Sequence, residues 1–147
     1  MSVNQDTPDA VTVLDEAACW ERLAGQELGR LIVRVGETVD VFPVNYVVQD
    51  RSVVLRTAEG TKLFALTVNG DVVFEVDDHT DEDAWSVVLH GRAEHVQDAD
   101  AKAALERLPL RPWIPTRKSN LVRIHPRTVS GRAFVRGPEP EWTAHSS

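Results

Sequence analysis

The sequence predicts a mainly β fold: an antiparallel barrel of about six strands, with three short helices placed at its links. Three observations lead there. Runs rich in β-branched residues recur along the chain, short polar links with turn residues join them as hairpins, and helical stretches are too few for repeated βαβ units. Closing such a sheet into a barrel also removes its exposed edges.

Taken in order, MSVNQDTPDAVT is polar with one proline and reads as a loose arm over residues 1–13. Leu14 to Leu28 carries Ala18, Cys19, Leu23 and Leu28 at near-helical spacing, with Asp15 as cap or first-turn acid and Gly29 as the stop. The runs RLIVRV, VDVFPVNYVV and SVVLRT, joined by GET and QDR, form a meander of antiparallel strands. Leu31, Val33 and Val35 alternate with Ile32 and Arg34, so one face belongs to the core. Pro43 cannot donate to a strand ladder and marks an edge, a bulge or a local break.

Thr61 to Asn69 followed by Gly70 has the length and the stop of a short helix, and VVFEV at residues 72–76 is a strand. DDHTDEDA at 77–84 reads as a solvated loop of mutually repelling carboxylates, with His79 exposed. WSVVLHGRAEHV at 85–96 is a long strand in which Gly91 marks a bulge or a close approach, and His90 reads as a hydrogen-bonded packing residue. DADAKAALERL is a helix capped by an aspartate, PLRPWIP a proline-braced loop, and NLVRIHPRTVSGRAFV one or two strands broken at Pro126. The polar RGPEPEWTAHSS is expected to be disordered, leaving one folded domain over residues 14–136 and a tail over 137–147.

Composition narrows the function classes. A chain of 147 residues, 42% hydrophobic and 27% charged, suits one soluble domain with a full core. Its net charge of -7 disfavours nucleic acid and anionic membranes as partners. No run approaches the roughly 18 apolar residues of a spanning helix. The single cysteine cannot form an internal disulfide and the N-terminus lacks a secretory pattern, so the cytoplasm is the expected compartment. Cys19 itself reads as a buried structural thiol. Nucleophile elbow, P-loop, dinucleotide fingerprint and paired metal-binding cysteines are all missing, and the five histidines lack ligand spacing. No metal site is expected, and no catalytic residue can be assigned.

One stretch carries chemistry. In RTAEGTK, residues 56–62, a strand ending at Thr57 and a helix opening at Thr61 would aim the first helical N–H groups outward, where anions bind. Arg56 can fork onto two phosphate oxygens, Lys62 adds a point charge, and Thr57 and Thr61 supply hydroxyls. A capped turn with surface cations explains the same residues, and both readings stand on the motif alone. The preceding strand offers Asn45 and Tyr46 as polar groups, while Trp85 and Trp113 offer planar surfaces that could stack on an aromatic ligand or simply pack.

The order LGRLIV, VFPVNYVV, VVLRTAEGTKLFAL, VVFEVDD, AWSVVLHGRAEHV, LPLRPWIP, VRIHPRTVSGR resembles the pyridoxamine 5′-phosphate oxidase-like flavin-binding split barrels, in particular their small actinobacterial-type members. The resemblance runs from about Gly29 to Arg132. It implies a six-stranded antiparallel split β-barrel with a few short helices, assembled as a homodimer with two flavin mononucleotide (FMN) sites at the subunit interface. It places Val44, Asn45 and Tyr46 beside the isoalloxazine ring and Arg56, Thr57, Thr61 and Lys62 around the flavin phosphate. Ser86, preceded by Trp85, takes the place where oxidases of the family often carry a glutamine that reaches the flavin, and Trp113 would come from the partner chain. The vitamin-forming oxidases carry an arginine–histidine motif in a segment beyond the last strand matched here. RIHPR at 123–127 mimics its spelling one strand too early, so pyridoxamine phosphate is not the expected substrate. The implied function is transfer of hydride or electrons between flavin and a small organic acceptor; the alternatives are a reductase using the deazaflavin F420 and a non-catalytic flavin-binding or stress protein.

Overall fold

A computed structural model describes residues 11–58, 70–109 and 119–136. The expected helix at Thr61–Asn69, the proline-braced loop beyond Pro109, the tail and the first ten residues lie outside them, as do Thr61, Lys62 and Trp113. The elements run β1 Val11–Leu14, α1 Glu16–Ala24, β2 Leu28–Val35, β3 Thr38–Gln49, β4 Ser52–Ala58, β5 Asp71–His79, β6 Asp83–His95, α2 Ala99–Glu106 and β7 Ser119–Val135. Strands lie in the order β1-β7-β4-β3-β2-β5-β6, and β6 pairs back onto β7 to close a ring of six, with β1 as a seventh strand at its flank. Every pairing is antiparallel. The mainly β, barrel-like fold read from the sequence is therefore present.

Alternation assigns the faces. Leu31 and Val33 on β2, Phe74 and Val76 on β5, and Val87 and Leu89 on β6 point inward to the main core. A second, smaller core lies outside the wall, where Leu105 of α2 covers Val54 of β4, Val96 and Leu121 of β7. Helix α2 begins as expected, with the Asp98 carboxylate accepting from Ala101 N at 2.9 Å. In the same way Asp15 caps α1, accepting from Ala18 N at 2.8 Å, and Cys19, Trp20 and Leu23 form the buried stripe of that helix.

Several boundaries differ from the sequence reading, each for a tertiary reason. Val11 to Val13, assigned to the loose arm, form β1: β4 leaves β7 after Ile124, and β1 pairs with the edge from Gly131 to Phe134. Helix α1 stops at Gly25 rather than Gly29. Gly29 lies within β2, where a Cβ would stand 2.5 Å from the Phe74 ring, so its role is close packing. The acidic loop shrinks to three residues, 80–82, because β5 continues to His79 and β6 starts at Asp83. The Arg30 guanidinium lies 2.6 Å from Glu75 and 2.8 Å from Asp77, offsetting their repulsion. Burial, and then Asp77, push the Glu75 carboxyl above its usual range, and Arg30 offsets only part of that rise.

β7 is one continuous strand. Its register against β6 shifts where Gly91 faces Pro126 and His90 faces Thr128, so Arg127 is the extra residue of a bulge beside the proline. A Cβ on Gly91 would sit 2.4 Å from the His125 carbonyl oxygen, which is the close approach the glycine permits. Pro43 faces Arg30 on β2, while the described pairing of β3 with β4 covers only Tyr46 to Gln49, so the proline stands where that second partner is lacking.

Candidate functional site

The residues singled out from sequence divide according to the face on which strand alternation puts them. On β3, Val44 and Tyr46 are buried and Asn45 between them points outward, half-buried. The Tyr46 hydroxyl donates to Leu23 O, in the last turn of α1, at 2.5 Å. Its ring meets Phe74 edge-on, with centroids 4.8 Å apart at 76°. Burial pushes the phenol pKa up from its ordinary value. The Tyr46 hydroxyl is thus committed inside the barrel, and what this stretch presents outward is Asn45. Its amide donates to Glu27 O at 3.3 Å, the same carbonyl that accepts from Tyr46 N at 3.0 Å.

On β4, Arg56 points outward and Thr57 inward. Leu55 pairs with Tyr46, so Arg56 and Asn45 stand one step beyond that pair on the same outer face. Thr57 is 4% exposed, and its buried hydroxyl has no hydrogen-bond partner. Leaving such a group unsatisfied costs about 1–3 kcal/mol, so this hydroxyl marks where another group would be accommodated.

On β6, Trp85 points into the core at 8% exposure, with the Arg22 guanidinium 5.4 Å from its ring centroid. Trp85 is therefore a packing residue of this barrel, with Arg22 covering its ring. Ser86 points outward, paired with Asp77 on one side and Arg132 on the other. Around the outer wall, from β4 through β3, β2 and β5 to β6, Arg56 and Ser86 are four strand spacings apart, about 19 Å. Along β7 their partners Leu121 and Arg132 are eleven residues apart (132 − 121), about 36 Å of strand. Asn45, Arg56 and Ser86 share the outer wall; Val44, Tyr46, Thr57 and Trp85 face the interior.

Sequence reasoning missed the surroundings of Thr57. Its partner across β4 and β7 is Asn120, whose side-chain nitrogen is also buried without a hydrogen bond. The Asn120 oxygen lies 3.2 Å from His95 Nε2. His95 and Asn120 are separated by 25 residues, and only the register of β6 on β7 joins them. His125, likewise unassigned from sequence, pairs with Glu94 at 2.6 Å. His90 is exposed rather than a packing residue, because it lies on the outer face next to the bulge.

The clefts lined by described residues include the following two. One, of about 380 Å³, lies between the end of α1, β3 and the end of α2, lined by Gln26, Glu27, Tyr46, Val47 and Leu108. The other, of about 390 Å³, lies at the β5–β6 turn against Phe134, Val135 and Arg136. Among the described residues no three His, Cys, Asp or Glu side chains gather as metal ligands, and no helix is long and apolar enough to cross a membrane.

Comparison with known proteins places this architecture. A crystal structure of a Corynebacterium glutamicum protein superposes with a TM-score of 0.84 at 45% identity, covering 90% of this chain and 99% of that one. The FAD binding protein from Mycobacterium smegmatis superposes with a TM-score of 0.80 at 44% identity, covering 86% of this chain and 100% of its own. An uncharacterized protein of Mycobacterium tuberculosis is 32% identical over 132 residues, 85% of this chain and 86% of that protein. The pyridoxamine 5′-phosphate oxidase family model matches residues 15–133, from the cap of α1 to the strand that closes the barrel. This chain belongs to the pyridoxamine 5′-phosphate oxidase family.

Proposed function

We propose that the protein binds a flavin nucleotide along the outer wall of its barrel, with the phosphate over the end of β4 at Ala58 where groups from both faces of the strand can reach it, and moves hydride or electrons between that flavin and a small organic acceptor. The observation that carries this reading is the similarity, over 86% of this chain, to the FAD binding protein from M. smegmatis at 44% identity. The residues present fit such a group. Arg56 faces outward beside Asn45, and next to Arg56 in the chain the buried Thr57 hydroxyl lacks a partner. Thr61 and Lys62 follow within five residues.

In this reading Arg56 and Lys62 neutralise the phosphate, Thr57 and Thr61 donate hydroxyls to it, and the β3 backbone at Val44 to Tyr46 with the Asn45 amide borders the ring. Ser86, some 19 Å around the wall from Arg56, and Trp113 complete the site across a homodimer interface, so one subunit supplies the phosphate end and its partner the far edge, while Trp85 supports Ser86 from the core. The flavin, when bound, supplies the redox chemistry; the protein anchors it, orients it and tunes it by hydrogen bonds. FMN is the cofactor read from the sequence, and FAD enters through the M. smegmatis similarity. Both carry the phosphate that Arg56 and Lys62 would hold, and the deazaflavin F420 is the alternative with a longer anionic tail.

The test is a visible spectrum of the purified protein, identification of any cofactor released on denaturation, and titration with FMN, FAD and F420. Micromolar affinity for a flavin nucleotide, and a mass in light scattering of twice the 16.3 kDa chain, are expected. Absence of binding by all three ligands overturns the cofactor reading. Flavin binding to a monomer overturns the shared site.

A further inference from the structure

Three polar side chains from β4, β7 and β6 meet at one end of the barrel interior. Thr57 and Asn120 are direct partners across the β4–β7 ladder, so their side chains leave the same face with Cβ atoms about 5 Å apart. His95 pairs with Val122, two residues along β7, on that same face, and its Nε2 stands 3.2 Å from Asn120 Oδ1. For this contact to be a hydrogen bond, Nε2 carries the proton and donates to Oδ1. That orientation turns the Asn120 amide nitrogen away from the imidazole. Both Asn120 Nδ2 and Thr57 Oγ1 are buried and unpartnered.

Two of the four unsatisfied buried side-chain atoms among the described residues therefore sit on one opposed residue pair, and each can donate a hydrogen bond. A pair of neutral donors with nothing to receive them calls for an acceptor with several lone pairs. A phosphate oxygen has them, and Arg56, one residue from Thr57 on the opposite face of β4, brings the compensating charge around the strand end.

We propose that Asn120 is a cofactor-binding residue that donates, together with Thr57, to a phosphate oxygen of the bound flavin nucleotide, and that His95 is a positioning residue that fixes the Asn120 amide. This rests on the flavin reading above and extends it to two residues outside the RTAEGTK segment. It also gives the amide of Asn120 a selective role: a donor suits phosphate, whereas an acceptor at the same place repels it.

The experiment measures dissociation constants for FMN and for riboflavin, which lacks the phosphate, by flavin fluorescence, with thermal melting as a check on folding. Asn120→Asp keeps the shape and exchanges the donor for a carboxylate. It should weaken FMN by about 100-fold or more and riboflavin by less than about threefold. Thr57→Val removes only the hydroxyl and should weaken FMN about tenfold on the same pattern. His95→Gln, whose amide can still donate to Asn120, should retain FMN affinity that His95→Ala loses. Unchanged FMN affinity in both Asn120→Asp and Thr57→Val, or equal losses for FMN and riboflavin, overturns the proposal while leaving flavin binding intact. A wild-type protein that binds neither ligand overturns the flavin reading itself, and this one with it.

Discussion

Replacing Tyr46 with phenylalanine removes a single oxygen from the centre of the barrel and separates two roles for this side chain. The hydroxyl donates to Leu23 O at 2.5 Å, and Tyr46 is 1% exposed, so no water replaces the lost bond. Leu23 O keeps one partner, Gln26 N at 3.3 Å, and is not fully orphaned. The edge-on contact with Phe74 survives the substitution. The expected loss is therefore the net worth of one buried hydrogen bond, about 1–1.5 kcal/mol, without the larger cost of a stranded carbonyl. In urea unfolding this lowers the midpoint at an unchanged m-value, and it lowers the melting temperature by about 3–6 °C for a domain of this size. A pH series adds a signature. The phenol's pKa is raised in the folded state, so its contribution is fully present below the ordinary value of 10.0 and is lost as pH rises beyond it. Wild-type stability should thus fall more steeply above pH 10 than that of Tyr46→Phe. Flavin affinity should stay within about twofold, since only the backbone of Tyr46 reaches the outer wall. Unchanged stability together with a clear loss of flavin affinity would refute the reasoning, because it would put the hydroxyl against the ligand.

Gly91→Ala should cost about 2–3 kcal/mol or more, since its Cβ would press on the His125 backbone oxygen at 2.4 Å. Gly25→Ala, whose nearest neighbour would lie at 3.6 Å, should be nearly neutral; similar denaturation midpoints for the two variants would refute the close-approach account. Cys19 is fully buried, and desolvation first, then Asp15 and Glu16, pushes its thiol pKa up. It should react with a thiol reagent only at the rate the protein opens, and rapid labelling of the native protein would contradict that placement.

Much of this fold is legible in the chain because alternation is a local property. The runs at 39–48, 52–57, 72–76 and, up to His95, 85–96 became strands, and the capping aspartates Asp15 and Asp98 opened their helices, since each rests on residues within a few positions of one another. Where the reading failed, the cause lies elsewhere in the sequence. Val11 and Val13 join a strand because a distant edge of β7 is open to them, and the acidic hairpin is held straight by Arg30 of β2. The candidate site follows the same rule. Arg56 and Thr57 were visible as a local motif, but their opposite orientations are set by the pleat.

The sequence by itself determined most of the strands of the ring, the barrel class and the family, through the order of its motifs, and it marked Arg56 and Thr57 as residues with anion chemistry. Only the tertiary structure decided that the Tyr46 hydroxyl and Trp85 belong to the core, and that Asn45 and Ser86 belong to the outer wall. It alone joined His95 and Asn120 to Thr57. The physical reason is that side-chain chemistry is written residue by residue, whereas strand register, which selects the neighbours each side chain meets, is fixed only when the ring closes between β6 and β7.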